Sequence, residues 1–220
     1  NNIMAAQKIA EHMGITDLTY IKNVGPFYFT VEPDNPGAMP EIKQYRLQEL
    51  YYFYPKKMIS VFASLTDVVE NNNGISLRII DWLVTNYAKT YSVKYTIYND
   101  DTVKIINVYQ LYVMWRRNYK RILFDPFRRN HKLYYIYKDR VCNTTAAQVN
   151  FFFFLHEYEL LKYILHNRQS IEQDQVQCLT KARERKRNIE QMGNVFKRHK
   201  LSFDPPPSCT VHELQHQYCL

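Results

Sequence analysis

Glycine is scarce: five residues in 220, none in a run, so neither a phosphate-cradling P-loop nor a dinucleotide-binding fingerprint is present. Four cysteines, Cys142, Cys178, Cys209 and Cys219, are too few and too widely spaced for a disulfide framework. A reducing compartment, or the inside of a particle assembled in one, fits better. No stretch approaches the roughly 18–20 apolar residues that a bilayer requires, so no membrane span is expected. The opening NNIMAAQKIAEHM has no basic region followed by an apolar one, so no signal peptide is expected. No Ser-His-Asp or Cys-His arrangement stands out either. An enzyme is not expected.

What is present is a core and an uneven charge. Hydrophobic residues make up 46% of the chain and aromatics 15%, with 19 Tyr and 12 Phe, which supports a well-packed interior. The net charge of +8 is concentrated in two islands. Residues 104–140 carry ten Lys and Arg against Asp125 and Asp139, and residues 181–200 carry eight against Glu184 and Glu190. The remaining segments are mildly acidic. Two basic islands on an acidic background point to a polyanion partner, with solvated helix faces as the alternative.

Residues 3–13 predict a short helix ended by Gly14, and 15–31 two strands around Gly25-Pro26. EPDNPGAMP is a loop, and 41–73 reads equally as strands around Pro55 or as two helices. NNNG marks a break. Ser76 is an expected N-cap for a helix over 77–89. VKYTIY and TVKII flank Asn99-Asp100-Asp101 as a hairpin, and KLYYIYK (132–138) is expected to join it as a third strand. Between them, Val108, Leu111, Tyr112, Trp115, Tyr119 and Ile122 fall on one side of a helix over 107–122 that Asp125-Pro126 should end. Thr145 with Gln148 forms a capping box ahead of an apolar helix over 146–167, and Ser170 with Gln173 repeats the pattern for a helix over 171–192.

Opposite the apolar stripe of the 107–122 helix lie Arg117, Lys120 and Arg121, with Arg116 on the flank. Trp115, Tyr119, Phe124 and Phe127 are expected in the core. Arg128, Arg129, His131 and Lys132 follow a proline-stiffened turn. Such a cluster suits phosphates, since each neutralised phosphate releases counterions and Arg binds two oxygens at once. KARERKR adds Lys181, Arg183, Arg185, Lys186 and Arg187 as an auxiliary arm, or as a helix with internal ion pairs.

HELQH (212–216) matches a zinc-hydrolase signature, but only four residues follow it, and Thr210 with Glu213 explains the Glu as a cap. Cys209, His212, His216 and Cys219 are weak candidates for structural zinc, with loops shorter than usual. No other cofactor is expected. Pro33-Asp34 followed by Glu41-Ile42-Lys43 has the letters of a metal-dependent nuclease motif on a loop where strands would be needed.

IIDWLVTNYAKTYSVKY (79–95), YKRILFDPFRR (119–129) and NTTAAQVNFFFFLHEYELLKYI (143–164) resemble a transcription-factor-like protein family of nucleocytoplasmic large DNA viruses. The resemblance covers roughly residues 75–190 and rests on the order of the three blocks D-W-x-V-T-N-Y, F-D-P-F-x-R and T-T-x-x-Q-x-N-F-F. The chain departs from the family pattern with Arg128 in place of a Cys and with Ala146-Ala147 in place of a Gly. The resemblance implies a viral protein of the infected-cell cytoplasm, viral factory or nucleus, or one packaged in the virion.

The expected fold is α+β: a small antiparallel three-stranded sheet (93–98, 103–106, 132–138) packed on helices 77–89, 107–122 and 146–167, with a long basic C-terminal helix. The expected organisation is an N-terminal α+β layer (1–74), a helix-hairpin-helix-strand-helix core (75–168), the basic helix (169–200) and a Pro-rich break with a terminal tail (201–220). The leading function is DNA binding tied to transcription, with viral transcription machinery as a partner. The alternative is a virion structural or core protein whose basic islands dock on acidic neighbours or packaged genome.

Overall fold

Three hairpins organise the strands of the described residues, and two of them are visible in the sequence. In a computed structural model, residues 2–24, 26–30, 47, 50–70, 74–99, 102–119, 121–130 and 132–201 are described. The elements are α1 (Asn2–Met13), β1 (Ile21–Val24), β2 (Phe27–Thr30), α2 (Pro55–Val69), α3 (77–90), β3 (Lys94–Asn99), β4 (Thr102–Asn107), α4 (Val108–Asn118), β5 (Lys132–Tyr137), β6 (Arg140–Thr145), α5 (Ala146–Glu157) and α6 (Leu160–Leu201). The chain falls into two units, Asn1–Gln175 and Val176–Leu220.

In the first unit, β3 and β4 pair alone as the expected hairpin, from Lys94↔Asn107 to Asn99↔Thr102. The expected third strand goes elsewhere. Residues 132–137 pair with β6 through a two-residue turn, Lys138-Asp139, and the four-stranded order is β1-β2-β5-β6. Both turn residues have positive φ, 47° and 64°, as the tight hairpin turn of this hand requires. Closing a two-residue loop costs far less chain entropy than returning across the intervening helix to residues 103–106. The three-stranded sheet is therefore replaced by a four-stranded and a two-stranded one.

Strand alternation then divides the core. Phe27, Phe29, Leu133 and Tyr135 join the main cluster, whereas Tyr28 and Tyr134 pack with Ile9, Ala10 and Ile21 in a smaller one beside α1. The expected C-terminus of α1 holds: Gly14 sits at φ +69°, and Ile15 N–H reaches back to Ala10 O at 2.9 Å. On the other face, the described part of the ambiguous 41–73 segment around Pro55 is helix, and α2 buries Met58, Val61, Phe62 and Leu65. Tyr135 stacks on Phe62 at 4.9 Å and shares a 2.8 Å hydrogen bond with Thr66 Oγ1.

Phe151, Phe152, Phe153 and Phe154 point to all sides of α5, so the helix is buried all round. The expected single helix over 146–167 breaks, because Glu159 takes φ +50°. The break frees the Tyr158 carbonyl to accept from the Tyr95 hydroxyl, while the Tyr158 hydroxyl accepts from Trp115 Nε1 at 3.0 Å. Beyond the break the chain runs as one 42-residue helix, so the Ser170–Gln173 pattern lies inside α6 and starts nothing.

Within the first unit, Leu160, Ile164 and Ile171 of α6 are buried. Asp174 accepts from both Trp82 Nε1 and the Tyr91 hydroxyl at 2.8 Å, tying the helix to α3. The Ser76 cap of α3 is present, with Ile79 N–H donating to Ser76 Oγ at 3.3 Å. In the middle of α3, residues Leu83–Tyr87 form a π turn. In the second unit, described as helix to Leu201, the side chains of 176–192 are all exposed.

Candidate nucleic-acid interface

Asn107 Oδ1 accepts from Gln110 N–H and starts α4, whose inner stripe (Leu111, Tyr112, Trp115) packs on the core. The expected helix over 107–122 stops at Asn118, well before Asp125-Pro126. Tyr119 is extended, at φ −104° and ψ 131°. Leaving the helix there lets Tyr119 lie flat on Trp115, with ring centres 5.4 Å apart, and returns Phe124 to contact Trp115, Phe151 and Phe154. Aromatic packing outweighs one more helical turn.

The helix expected to carry Arg117, Lys120 and Arg121 on one face ends at Asn118. Arg116 and Arg117 are exposed on α4, while Arg121 belongs to a separate 3₁₀ turn, Arg121–Leu123. Lys120 and His131 lie outside the described residues, as does the side chain of Arg121. The outer face of α4 is mostly uncharged. Tyr109, Gln110, Val113, Met114, Arg117 and Asn118 line a shallow depression of about 360 Å³. Lys89 lies over the Tyr109 ring, 5.8 Å from its centre.

The F-D-P-F-R-R turn is where the geometry tightens. Asp125 Oδ1 accepts from Phe127 N–H at 2.8 Å, and Asp125 O accepts from Arg128 N–H at 3.3 Å, so Pro126 occupies the second position of a turn. Three side chains downstream then hold three carbonyls between Leu123 and Arg128. Asn150 Nδ2 donates to Leu123 O at 2.9 Å, Gln148 Nε2 to Pro126 O at 3.0 Å and Thr145 Oγ1 to Arg128 O at 3.3 Å. Thr145 also caps α5 by accepting from Gln148 N–H at 3.3 Å. Only half of the expected capping box forms, because Gln148 turns its amide to the turn and its Oε1 accepts from Thr144. The T-T-x-x-Q-x-N block is thus the clamp of the F-D-P-F-x-R block.

The clamp fixes what the turn presents. Phe124 is buried, but Phe127, expected in the core, is 44% exposed. Arg128 is half-buried, Arg129 is exposed, and Lys132 is exposed at the start of β5. Asn150 is buried, and its Oδ1 has no hydrogen-bond partner among the described residues.

Carboxylates sit behind this surface. Burial raises the pKa of Asp81, of the D-W-x-V-T-N-Y block, and the charge of Asp125 raises it further. Burial also raises Tyr112; Asp81 adds to the shift, and the Arg116 guanidinium opposes it. The opposing effect on Tyr112 means that the Arg116 guanidinium lies near that hydroxyl.

In the second unit, Lys181, Arg183, Arg185, Lys186 and Arg187 are exposed on α6, with Lys186 paired to Glu190 at 3.9 Å. The HELQH tail and its zinc candidates Cys209, His212, His216 and Cys219 lie outside the described residues, as do Pro33-Asp34 and Glu41–Lys43. Among the described residues, no group of three or more His, Cys, Asp or Glu is placed to hold a metal. No helix among them is long and apolar enough to cross a membrane.

Sequence reasoning missed the positioning roles of Thr145, Gln148 and Asn150. The signal was there as polar residues at i, i+3 and i+5 opening an otherwise apolar helix. Spacing alone does not say which carbonyls they reach.

The pattern of the family of unknown function DUF7197 matches residues 42–208. Over 170 residues the chain is 25% identical to the uncharacterized protein L507 of Acanthamoeba polyphaga mimivirus, covering 74% of this chain and 65% of that protein. The chain thus spans slightly less than two thirds of that relative's length. The likeness to a giant-virus protein supports a viral origin. No solved structure matches.

Proposed function

This chain belongs to the DUF7197 family, and we propose that it is a nucleic-acid-binding, transcription-associated protein of giant-virus lineage that acts by binding rather than catalysis. The observation that carries the reading is the clamped turn: Arg128 and Arg129 follow a backbone held by Asn150, Gln148 and Thr145, and Lys132 stands beyond it at the start of β5. Cations on an already ordered segment lose little conformational freedom on meeting a phosphate, so their charge converts efficiently into affinity. The exposed Lys181–Arg187 run acts as the auxiliary arm, attracting the polyanion over a Debye length without fixed geometry. Arg116 and Arg117, exposed on α4, are further candidate phosphate contacts in this reading.

The test is a DNA-binding titration at several salt concentrations. Reversing Arg128, Arg129 and Lys132 to Glu is expected to abolish binding with the melting temperature nearly unchanged. Neutralising each one singly is expected to lower the log–log salt slope by about 0.9. Unaltered affinity in the triple variant sinks the proposal.

A structural or core role in the virion is the second reading, favoured by the outer face of the β3–β4 hairpin. Tyr98 pairs with Val103, and Thr96 with Ile105, on one face where Tyr98, Val103 and Ile105 are largely exposed. That face suits a protein neighbour. High copy number in purified particles, without salt-sensitive DNA binding, would favour this reading. Zinc content of the full chain tests the HELQH reading.

A further inference from the structure

We propose that Phe127 is a stacking platform for an unpaired base, so that the clamped turn takes single-stranded nucleic acid. The inference rests on the binding function proposed above and adds the class of substrate.

Phe127 stands apart from Phe124 and the phenylalanines of α5. Phe124, three residues earlier, is 5% exposed and touches five rings, and the four Phe of α5 are all buried. Phe127 is 44% exposed and has no ring partner among the described residues. Mobility of the backbone does not explain this exposure. Its own N–H is held by Asp125, and the carbonyls on either side of it, of Pro126 and Arg128, are held by Gln148 and Thr145. The ring stands in water on a backbone segment that the fold holds at several points.

The neighbours decide what would cover such a ring. Arg128 and Arg129 follow it directly, and Lys132 stands at the head of β5. An apolar protein partner would have to desolvate these cations, whereas a nucleotide satisfies both features at once. Its base offers a π-face to Phe127, and its phosphates meet the guanidinium groups. A base in a duplex already has both faces stacked, and a major groove admits a helix or a two-stranded ribbon more readily than a compact turn. An unpaired base is free on both counts.

The full chain, its Phe127→Leu and Phe127→Trp variants, and an Arg128→Glu/Arg129→Glu double variant would be titrated with a labelled oligothymidylate strand and with a duplex of equal length, at two salt concentrations. Leucine keeps the apolar bulk and removes the π-face. The expected result is tighter binding of the strand than of the duplex by the native chain. Phe127→Leu should weaken strand binding by roughly tenfold, leaving duplex binding and the salt slope unchanged. Phe127→Trp should retain strand affinity and lose tryptophan fluorescence as the strand binds. The proposal is overturned if Phe127→Leu binds the strand like the native chain, or loses strand and duplex equally. If that happens while the double arginine variant still fails to bind, only the stacking role falls. If the native chain binds neither ligand, the nucleic-acid function falls with it.

Discussion

The two basic islands have similar charge and opposite mechanics. Arg128 and Arg129 stand at a turn where three side chains hold the carbonyls of Leu123, Pro126 and Arg128, above Phe124 and the rings of α5. Those of 181–187 stand on a helix whose side chains are all exposed from 176 to 192. Charge count makes the two look equivalent. Packing separates them: a turn braced against the core can favour one ligand geometry, whereas cations on a helical stretch with no buried side chains are braced only by the helix itself.

The largest test of the contrast is in the core. Phe124→Ala removes a ring in contact with Trp115, Tyr119, Phe151 and Phe154, and is expected to cost about 3–5 kcal/mol in urea unfolding. Ile189→Ala, on a residue 70% exposed, is expected to stay within about 0.5 kcal/mol. Equal losses would mean that the second island is also built on a packed core.

Asp174→Ala removes the shared acceptor of Trp82 and Tyr91, and is expected to cost about 1–3 kcal/mol. Gln148→Ala leaves the Pro126 carbonyl unpaired, and about 1–2 kcal/mol is expected. The more telling readout for Gln148 is hydrogen exchange, which should speed up around 125–129 and leave 181–187 unchanged. Unchanged protection around the turn would break the clamp argument.

The smallest effects are those of pH, and they have opposite signs. Burial and then the Lys57 charge lower the His156 pKa, with Ser64 Oγ 2.8 Å from Nε2. The unfolded chain therefore takes up its proton first, and stability should fall as pH drops below the ordinary 6.5, levelling off under the folded-state pKa. His156→Gln should flatten that decline. Asp81 is the reverse case: its raised pKa means the ionised form weakens the fold at neutral pH, and stability is regained as pH falls towards 3.8. Asp81→Asn should raise the neutral-pH melting temperature. A lower one would show that the carboxylate is held by a favourable contact.

Much of the local structure was legible. Gly14 ending α1, Ser76 capping α3, Thr145 capping α5 and the β3–β4 hairpin each depend on a few adjacent residues, and each formed. The misreadings share one cause. Residues 119–122 have helical periodicity, yet the chain leaves the helix so that Tyr119 and Phe124 can stack. KLYYIYK has strand alternation, yet its partners are residues 140–145 and β2. The turn at Lys138-Asp139 lacks the Asn-Gly or Asp-Gly signature that announces a tight hairpin.

The sequence by itself determined the charge islands, the aromatic core and the short-range caps, because these follow from composition and from contacts within a turn or two. It also placed the three blocks in order along the chain. Only the tertiary structure decided that the third block clamps the second, and that Phe124 turns inward while Phe127 stays out. Those outcomes depend on which carbonyls, rings and carboxylates meet across dozens of residues, and periodicity carries no record of such distances.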